Sequence, residues 1–532
     1  MNRTHESNLR RHHSALNRTA NRWLGRAPRW LMVASLPVAL FAMLGSTEAL
    51  TAQLPKAAVR QLDALLDAPP FNRLLWGVAL VDERGRLLYG RNADRLFIPA
   101  SNTKLVVSAV AATMLPADWT VTTSLYSAAP VRDHILEGDL ILYGRGDPTF
   151  GRRCYATDTT LSGVCDTDSF ARLRELARAL AERDITSVAG DLIGDGSWFT
   201  GELTRGDWSS EDLNWWYAAP VSGLGFNDNS VDITWLPGAV VDAPAVLRLE
   251  PNLGDVTLEN RTRTVAAGGE SDIGDRMYRV PGTLQLWAEG TVALDHDEGL
   301  ESFALPDPDL FAARAFRQAL REAGISVTGT TRSTTDSLAT LPARRTPPLA
   351  ESTSRPLRDW IFPILNTSQN WYAEMLLKQL GRQFGASGSW EAGLMVERRV
   401  LIDSMGIDST LFSLADGSGL SAKNLVSPLA FTRLLQYMRG SPGYATFSAA
   451  LPQSGNTGSL KRRFSDTPIA GLVRAKTGSI ARVNTLSGYI ELPGRTLTFS
   501  VQANHHALGG RQMLAQIDSI VVALAKAAGR TR

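Results

Sequence analysis

From Ser101 to Met114 the chain carries Leu105, Val106, Val107, Val110 and Met114 with few polar positions between them, directly after Phe97-Ile98-Pro99-Ala100. A surface helix keeps one polar face toward water, so a helix this apolar has to be enclosed by other elements. The segment therefore predicts a helix buried in the middle of a domain, and the rest of the chain must supply its walls. At 532 residues the chain exceeds what one compact core holds, and two or three domains are expected.

Walls for that helix can be read at both ends. Val59 to Leu66 has the spacing of a short amphipathic helix. Leu75 to Val81 predicts a buried strand, Asp82-Glu83-Arg84-Gly85 a turn, and Leu87-Leu88-Tyr89 the hairpin partner. Far along the chain, Thr485 to Leu492 and Thr496 to Val501 predict two strands joined by Pro493-Gly494-Arg495. Met513 to Leu524 follows with apolar residues at helical spacing, better suited to packing on a sheet than to lying on a membrane. Strands from the two ends are expected to share one antiparallel sheet with helices on its faces, an α+β arrangement. Between them, short β-like runs alternate with Gly, Asp and Pro turns, with helical interludes at Phe170 to Ala181 and Leu310 to Ala323. Leu338 to Leu349 reads as the linker back. The expected division is one domain in two parts, 50–115 and 346–532, split by a β-rich insertion of one or two domains over 116–345.

Residues 1–49 hold seven Arg and two acidic residues. An apolar run from Trp30 to about Leu44, broken by Pro37, leads to small residues at Gly45-Ser46-Thr47-Glu48-Ala49. That pattern predicts a cleaved export signal rather than an anchor, with cleavage near Ala49 or Ala52 and at most peripheral contact with the membrane. Without the leader, 48 basic residues face 51 acidic ones, a net −3, which leaves no basic stripe for nucleic acid. After export, Cys154 and Cys165 can close a small loop as a disulfide. No metal-ligand spacing and no G-x-S-x-G occurs, so no metal or cofactor is expected.

Lysine is scarce, seven residues against forty-eight arginines, and two of the seven stand beside hydroxyls. Lys104 follows Ser101 by three, and Lys476 opens Lys476-Thr477-Gly478-Ser479. Arginine stays protonated, whereas a desolvated lysine beside another cation can act as a base. Ser101 falls at the start of the buried helix, near the positive end of its macrodipole, with Lys104 one turn further on the same face. Ser368-Gln369-Asn370 opens another predicted helix, Trp371 to Leu380. Lys476-Thr477-Gly478 predicts an edge strand, with Gly478 where a substrate backbone must come close. A second S-x-N, Ser454-Gly455-Asn456, lies in a Gly-rich loop, a poorer host.

S-x-x-K, S-x-N and K-T-G in this order resemble the penicillin-recognising serine enzymes. The long insertion between the first two narrows the resemblance to class C low-molecular-mass penicillin-binding proteins, D-alanyl-D-alanine carboxypeptidase/endopeptidases of the peptidase S13 type. Gly146-Asp147-Pro148-Thr149, Tyr217 to Ser222, Phe226 to Asn229 and Asp416-Gly417-Ser418-Gly419-Leu420-Ser421 resemble the family too. One departure is Gln369, where the family often has Asp.

The resemblance implies a penicillin-binding transpeptidase-like, β-lactamase-like catalytic domain. It also implies a periplasmic enzyme acting on peptidoglycan stem peptides that end in D-Ala-D-Ala, and β-lactam antibiotics as inhibitors. Ser101 is the expected nucleophile and neutral Lys104 its base, with Lys476 as the cation that depresses it. Ser368 passes the proton to the departing amine. Asn370 holds Lys104 and the substrate amide, and the N–H groups of Ser101 and Ser479 form the oxyanion hole. Thr477, Gly478 and Ser479 receive the terminal D-Ala. Asp195, in a segment that matches one lining the family's substrate side-chain site, suits an ammonium there; a turn carboxylate is the competing reading. Asp147 reads as a turn residue. The rival functions are a serine β-lactamase, for which a Y-x-N motif and a deacylating Glu are missing, and an inactive peptidoglycan-binding module.

Overall fold

Strands from the two ends of the chain meet in one sheet. A computed structural model describes residues 54–151 and 168–529, which leaves the predicted leader and both cysteines outside the described residues. The sheet runs in the order Leu87–Arg91, Leu75–Val81, Arg495–Asn504, Val483–Leu492, Val473–Ile480, with every neighbouring pair antiparallel. Leu75 pairs with Asn504 and Val81 with Thr498, and the Lys476 strand is an outer edge.

Alternation along Val483–Leu492 explains how the sheet holds two layers apart, since successive side chains point to opposite faces. Leu486 and Ile490 join Leu62, Leu66, Met513, Ile517, Ile520 and Leu524 from the terminal helices Lys56–Asp67 and Gly510–Ala528. On the other face, Tyr489 packs into the cluster that surrounds the helix Lys104–Met114. Residues Lys104 to Ala112 are all buried, enclosed by helices Leu357–Asn366, Asn370–Phe384 and Pro428–Arg439. The apolar segment thus lies in the middle of its domain.

The inserted region differs from a run of hairpins. Its main sheet runs Thr331–Thr334, Leu192–Asp195, Leu140–Tyr143, Thr122–Tyr126, Ala350–Thr353, and its first two contacts are parallel. Parallel neighbours need crossovers, and the helices Ala171–Ala181 and Pro308–Glu322 lie within them. Two three-stranded sheets and a small four-stranded one, in the order Ser326–Val327, Ser187–Val188, Ile135–Leu136, Val131–Arg132, complete the insertion. Its apolar core, with Leu142, Leu176, Phe226, Ile233 and Phe316, is distinct from the two clusters of the catalytic part. The return also comes later than the expected 345/346 boundary. Ala350–Thr353 pairs with Thr122–Tyr126 and so belongs to the inserted sheet, while the expected linker contains a helical turn, Leu341–Arg344.

Candidate active site

The S-x-x-K motif begins on a 3-10 turn, Ala100–Thr103, that runs directly into the buried helix. Ala100 has φ 48°, a left-handed conformation uncommon outside glycine, so the turn is held by its surroundings. Asn102 Nδ2 donates to Ser487 Oγ at 2.7 Å, and Thr485 Oγ1 donates to the Pro99 carbonyl at 2.9 Å. These anchors place Ser101, partly exposed, above Lys104, which is wholly buried.

Lys104 Nζ has three acceptors: Ser101 Oγ at 3.0 Å, Asn370 Oδ1 at 2.6 Å and the Ser418 carbonyl at 2.6 Å. Burial depresses its pKa to about 7, with the buried carboxylates Asp416 and Glu374 pulling the other way. Asn370 is itself oriented, since its Nδ2 donates to the Tyr217 carbonyl of the inserted region at 2.8 Å. One of its two amide hydrogens is therefore committed to the protein.

Lys476 forms the second half. Its Nζ donates to Ser368 Oγ at 2.9 Å and to the Thr477 carbonyl at 2.7 Å. Burial first and the neighbouring Lys104 second push its pKa well down. Of the two causes expected to depress Lys104, a dry surrounding and the Lys476 cation, the first dominates: each lysine is depressed chiefly by its own burial. Thr477 Oγ1 donates to Ser459, and Asn484 Nδ2 donates to Ser479 Oγ at 3.1 Å. Ser101, Ser368, Thr477 and Ser479 are at least partly exposed above two enclosed amines.

Gly478 also meets a requirement within the protein itself. A Cβ there would lie 2.2 Å from Thr485 Oγ1, 2.7 Å from the Pro99 carbonyl and 3.1 Å from Asn102 N. The turn that carries Ser101 comes close here, and the glycine lets the edge strand lie against it.

Ser368 also has a left-handed backbone, φ 69°. Gln369 caps the helix that follows by accepting from Tyr372 N at 3.3 Å, and its Nε2 donates to Asp228 at 2.6 Å. A carboxamide can make both contacts, whereas an Asp would oppose Asp228. Ser454, of the other S-x-N, is buried and accepts from Val473 N, a structural role.

Asp195 is not brought into this cluster. It is fully enclosed, its oxygens taken by Ser197 N at 2.8 Å and the Thr340 hydroxyl, with Arg344 3.6 Å away. In this geometry it ties the inserted sheet to the segment after Thr334. Asp147 accepts from Thr149 and pairs with Arg172, in keeping with a turn residue. Sequence reasoning passed over Glu374, and it singled out the segment of Asp416 and Ser418 without giving either a role. Glu374 accepts from Gly417 N at 3.1 Å, Ser418 N at 2.7 Å and Trp390 Nε1 at 2.7 Å, which fixes the loop behind Lys104.

A serine–lysine pair at a helix start, a Ser-x-Asn turn and a Lys-Thr-Gly edge strand on an antiparallel sheet define a penicillin-binding, β-lactamase-like enzyme. The chain belongs to the D-Ala-D-Ala carboxypeptidase 3 (S13) family, which it matches over residues 58–526, and it is a D-alanyl-D-alanine carboxypeptidase. A D-alanyl-D-alanine carboxypeptidase of Actinomadura sp. (strain R39) is 32% identical over 95% of this chain and 92% of its own. The carboxypeptidase DacB of Haemophilus influenzae is 24% identical over 80% of this chain and 84% of its own. In structure, penicillin binding protein 4 (dacB) from Haemophilus influenzae aligns with a TM-score of 0.73 at 22% identity, covering 87% of this chain and 98% of that one. A complex of that protein with a β-lactam aligns at 0.68 and 20% identity, covering 88% and 98%.

Proposed function

We propose that the enzyme cleaves peptidoglycan stem peptides ending in D-Ala-D-Ala through an ester on Ser101, and that β-lactams inhibit it by forming the same ester. The observation that carries this reading is the environment of Lys104. A neutral amine has two hydrogens and one lone pair. The two shortest acceptors, Asn370 Oδ1 and the Ser418 carbonyl, take the hydrogens and leave the lone pair for the Ser101 hydroxyl. After proton transfer the ammonium finds three acceptors in a dry site.

The free carboxylate of the terminal D-Ala suits Thr477 and Ser479 above Lys476. Its charge would favour the protonated form of Lys476, and that cation would in turn favour neutral Lys104, so substrate binding itself sets the two lysines in opposite states. Ser368 returns the proton to the departing amine, a role supported by its bond to Lys476. The N–H groups of Ser101 and Ser479 are the proposed oxyanion hole; removing one such donor costs about 3 kcal/mol. The same chemistry serves carboxypeptidase and endopeptidase reactions, which differ only in what leaves. We place the protein in the periplasm after signal cleavage; no helix among the described residues is long and apolar enough to cross a membrane.

The test is fluorescent penicillin with the chain from about residue 50, beside Ser101→Ala, followed over time on a denaturing gel. A lasting label on wild type alone is expected. A label that vanishes within seconds would make the enzyme a β-lactamase, and its absence from folded protein would sink the acyl-enzyme.

A further inference from the structure

We propose that Asp416 is a positioning residue for the acyl transfer, acting on Lys104 through one peptide group, the link between Ser418 and Gly419. The inference rests on the reading of Lys104 as the base for Ser101. Gly419 N donates to Asp416 Oδ1 at 2.7 Å, and the carbonyl of the same peptide accepts from Lys104 Nζ at 2.6 Å. In a trans peptide the N–H and C=O point opposite ways, so holding the N–H on the carboxylate aims the carbonyl at the amine. A fixed negative charge behind the N–H also polarises the carbonyl and strengthens its pull on Lys104.

Four donors favour the ionised form of Asp416. Oδ1 accepts from Gly419 N and Asn424 Nδ2, both at 2.7 Å; Oδ2 accepts from Ser421 N at 2.7 Å and Trp208 Nε1 at 3.0 Å. Burial raises the pKa of this carboxyl, and these four donors oppose the rise. A proton on either oxygen would face only other donors. The loop also lies directly against the Ser101 turn: Gly419 has φ +81°, and a Cβ there would lie 1.9 Å from the Ala100 carbonyl. The remaining titratable groups around the loop and Lys104 are Glu374 and Glu397, on helices Asn370–Phe384 and Trp390–Arg399, Lys476 on the edge strand and Lys423 in the loop itself. Asp207 of the inserted region completes the set; it accepts from Ser421 Oγ at 2.6 Å and pairs with Arg205. Trp208 comes from the inserted region, which thereby reaches the base through Asp416.

The scarcity of lysine makes the test direct. Full-length enzyme labelled with [ε-13C]lysine gives seven signals, and that of Lys104 is identified by its loss in Lys104→Arg. Asp416→Asn keeps the size but removes the charge. The Lys104 titration is expected to move down by about one pH unit. The acid limb of penicillin acylation should move with it, and the plateau rate should fall on the order of tenfold. A folded Asp416→Asn with the Lys104 titration and plateau of wild type overturns the proposal. Should Asp416→Asn not fold, Trp208→Phe removes one of the four donors; severalfold slower acylation at unchanged reversible affinity is expected, and unchanged acylation overturns the link. Wild-type acylation that ignores the Lys104 titration refutes the base itself, whereas a missing Lys104 shift in Asp416→Asn refutes only the link.

Discussion

Gly478→Ala isolates the contact between the edge strand and the nucleophile turn. The added methyl would lie 2.2 Å from Thr485 Oγ1 and 2.7 Å from the Pro99 carbonyl, both of which are buried. A tolerable carbon–oxygen approach is about 3.3 Å, so the two oxygens must recede by about 1.1 and 0.6 Å. Thr485 cannot rotate freely, because its hydroxyl is bonded to that same carbonyl at 2.9 Å. The cheaper relaxation is for the strand carrying Lys476 and Ser479 to lift off the turn carrying Ser101. Overpacking of this kind costs about 1–3 kcal/mol of stability. A displacement approaching 1 Å between catalytic groups costs about 100-fold in rate. Denaturant unfolding and the acylation rate of the folded fraction read the two effects separately. Thr485→Ala in the same chain relieves only the hydroxyl contact and should restore only part of the loss. A folded Gly478→Ala enzyme acylated within twofold of wild type would refute the reasoning.

Acylation should depend on pH through Lys104. Only the neutral amine takes the Ser101 proton, so with a pKa of about 7 the rate should rise roughly tenfold per pH unit below that value and level above it. A stopped-flow pH profile checks this, and a limb near the ordinary lysine value of 10.5 would contradict it. Gln369→Asp should destabilise the protein, since the new carboxylate would face Asp228 with the 2.6 Å bond lost. A cost of about 1–3 kcal/mol is expected, and Asp228→Asn in the same chain should recover most of it; thermal unfolding decides.

The parts of the fold legible in the sequence were those with a strong local period. The buried helix, the terminal hairpins and Gly510–Ala528 carry uninterrupted apolar spacing, and their existence follows from it. The inserted sheet was read as β-rich without its parallel pairs, because strands as short as Leu140–Tyr143 and Leu192–Asp195 carry no mark of direction. Ala350–Thr353 was hidden for the same reason: Ala-Glu-Ser-Thr has no apolar face to announce it. In the site, Ser101, Lys104, Ser368, Asn370 and Lys476 could be named because their side-chain chemistry and order are distinctive. The Ser418 carbonyl could not, being a backbone atom 314 positions from Lys104. Nor could burial of Asp195, which depends on Thr340 and Arg344 far along the chain.

The pairing of Leu75–Val81 with Thr498–Asn504 has a consequence for when activity can appear. The nucleophile turn emerges early in synthesis, but Thr485 and Ser487, which hold it, and Lys476, which completes the site, come last. At about 5–20 residues per second, tens of seconds separate the first strand from its partner. Closing so long a loop puts the central sheet among the slowest contacts to form. The inserted region contains all its own strand partners and is free to fold in the interval. The enzyme is therefore assembled around an early-made insert, and a truncated chain lacking the final strands retains its serine without the means to use it.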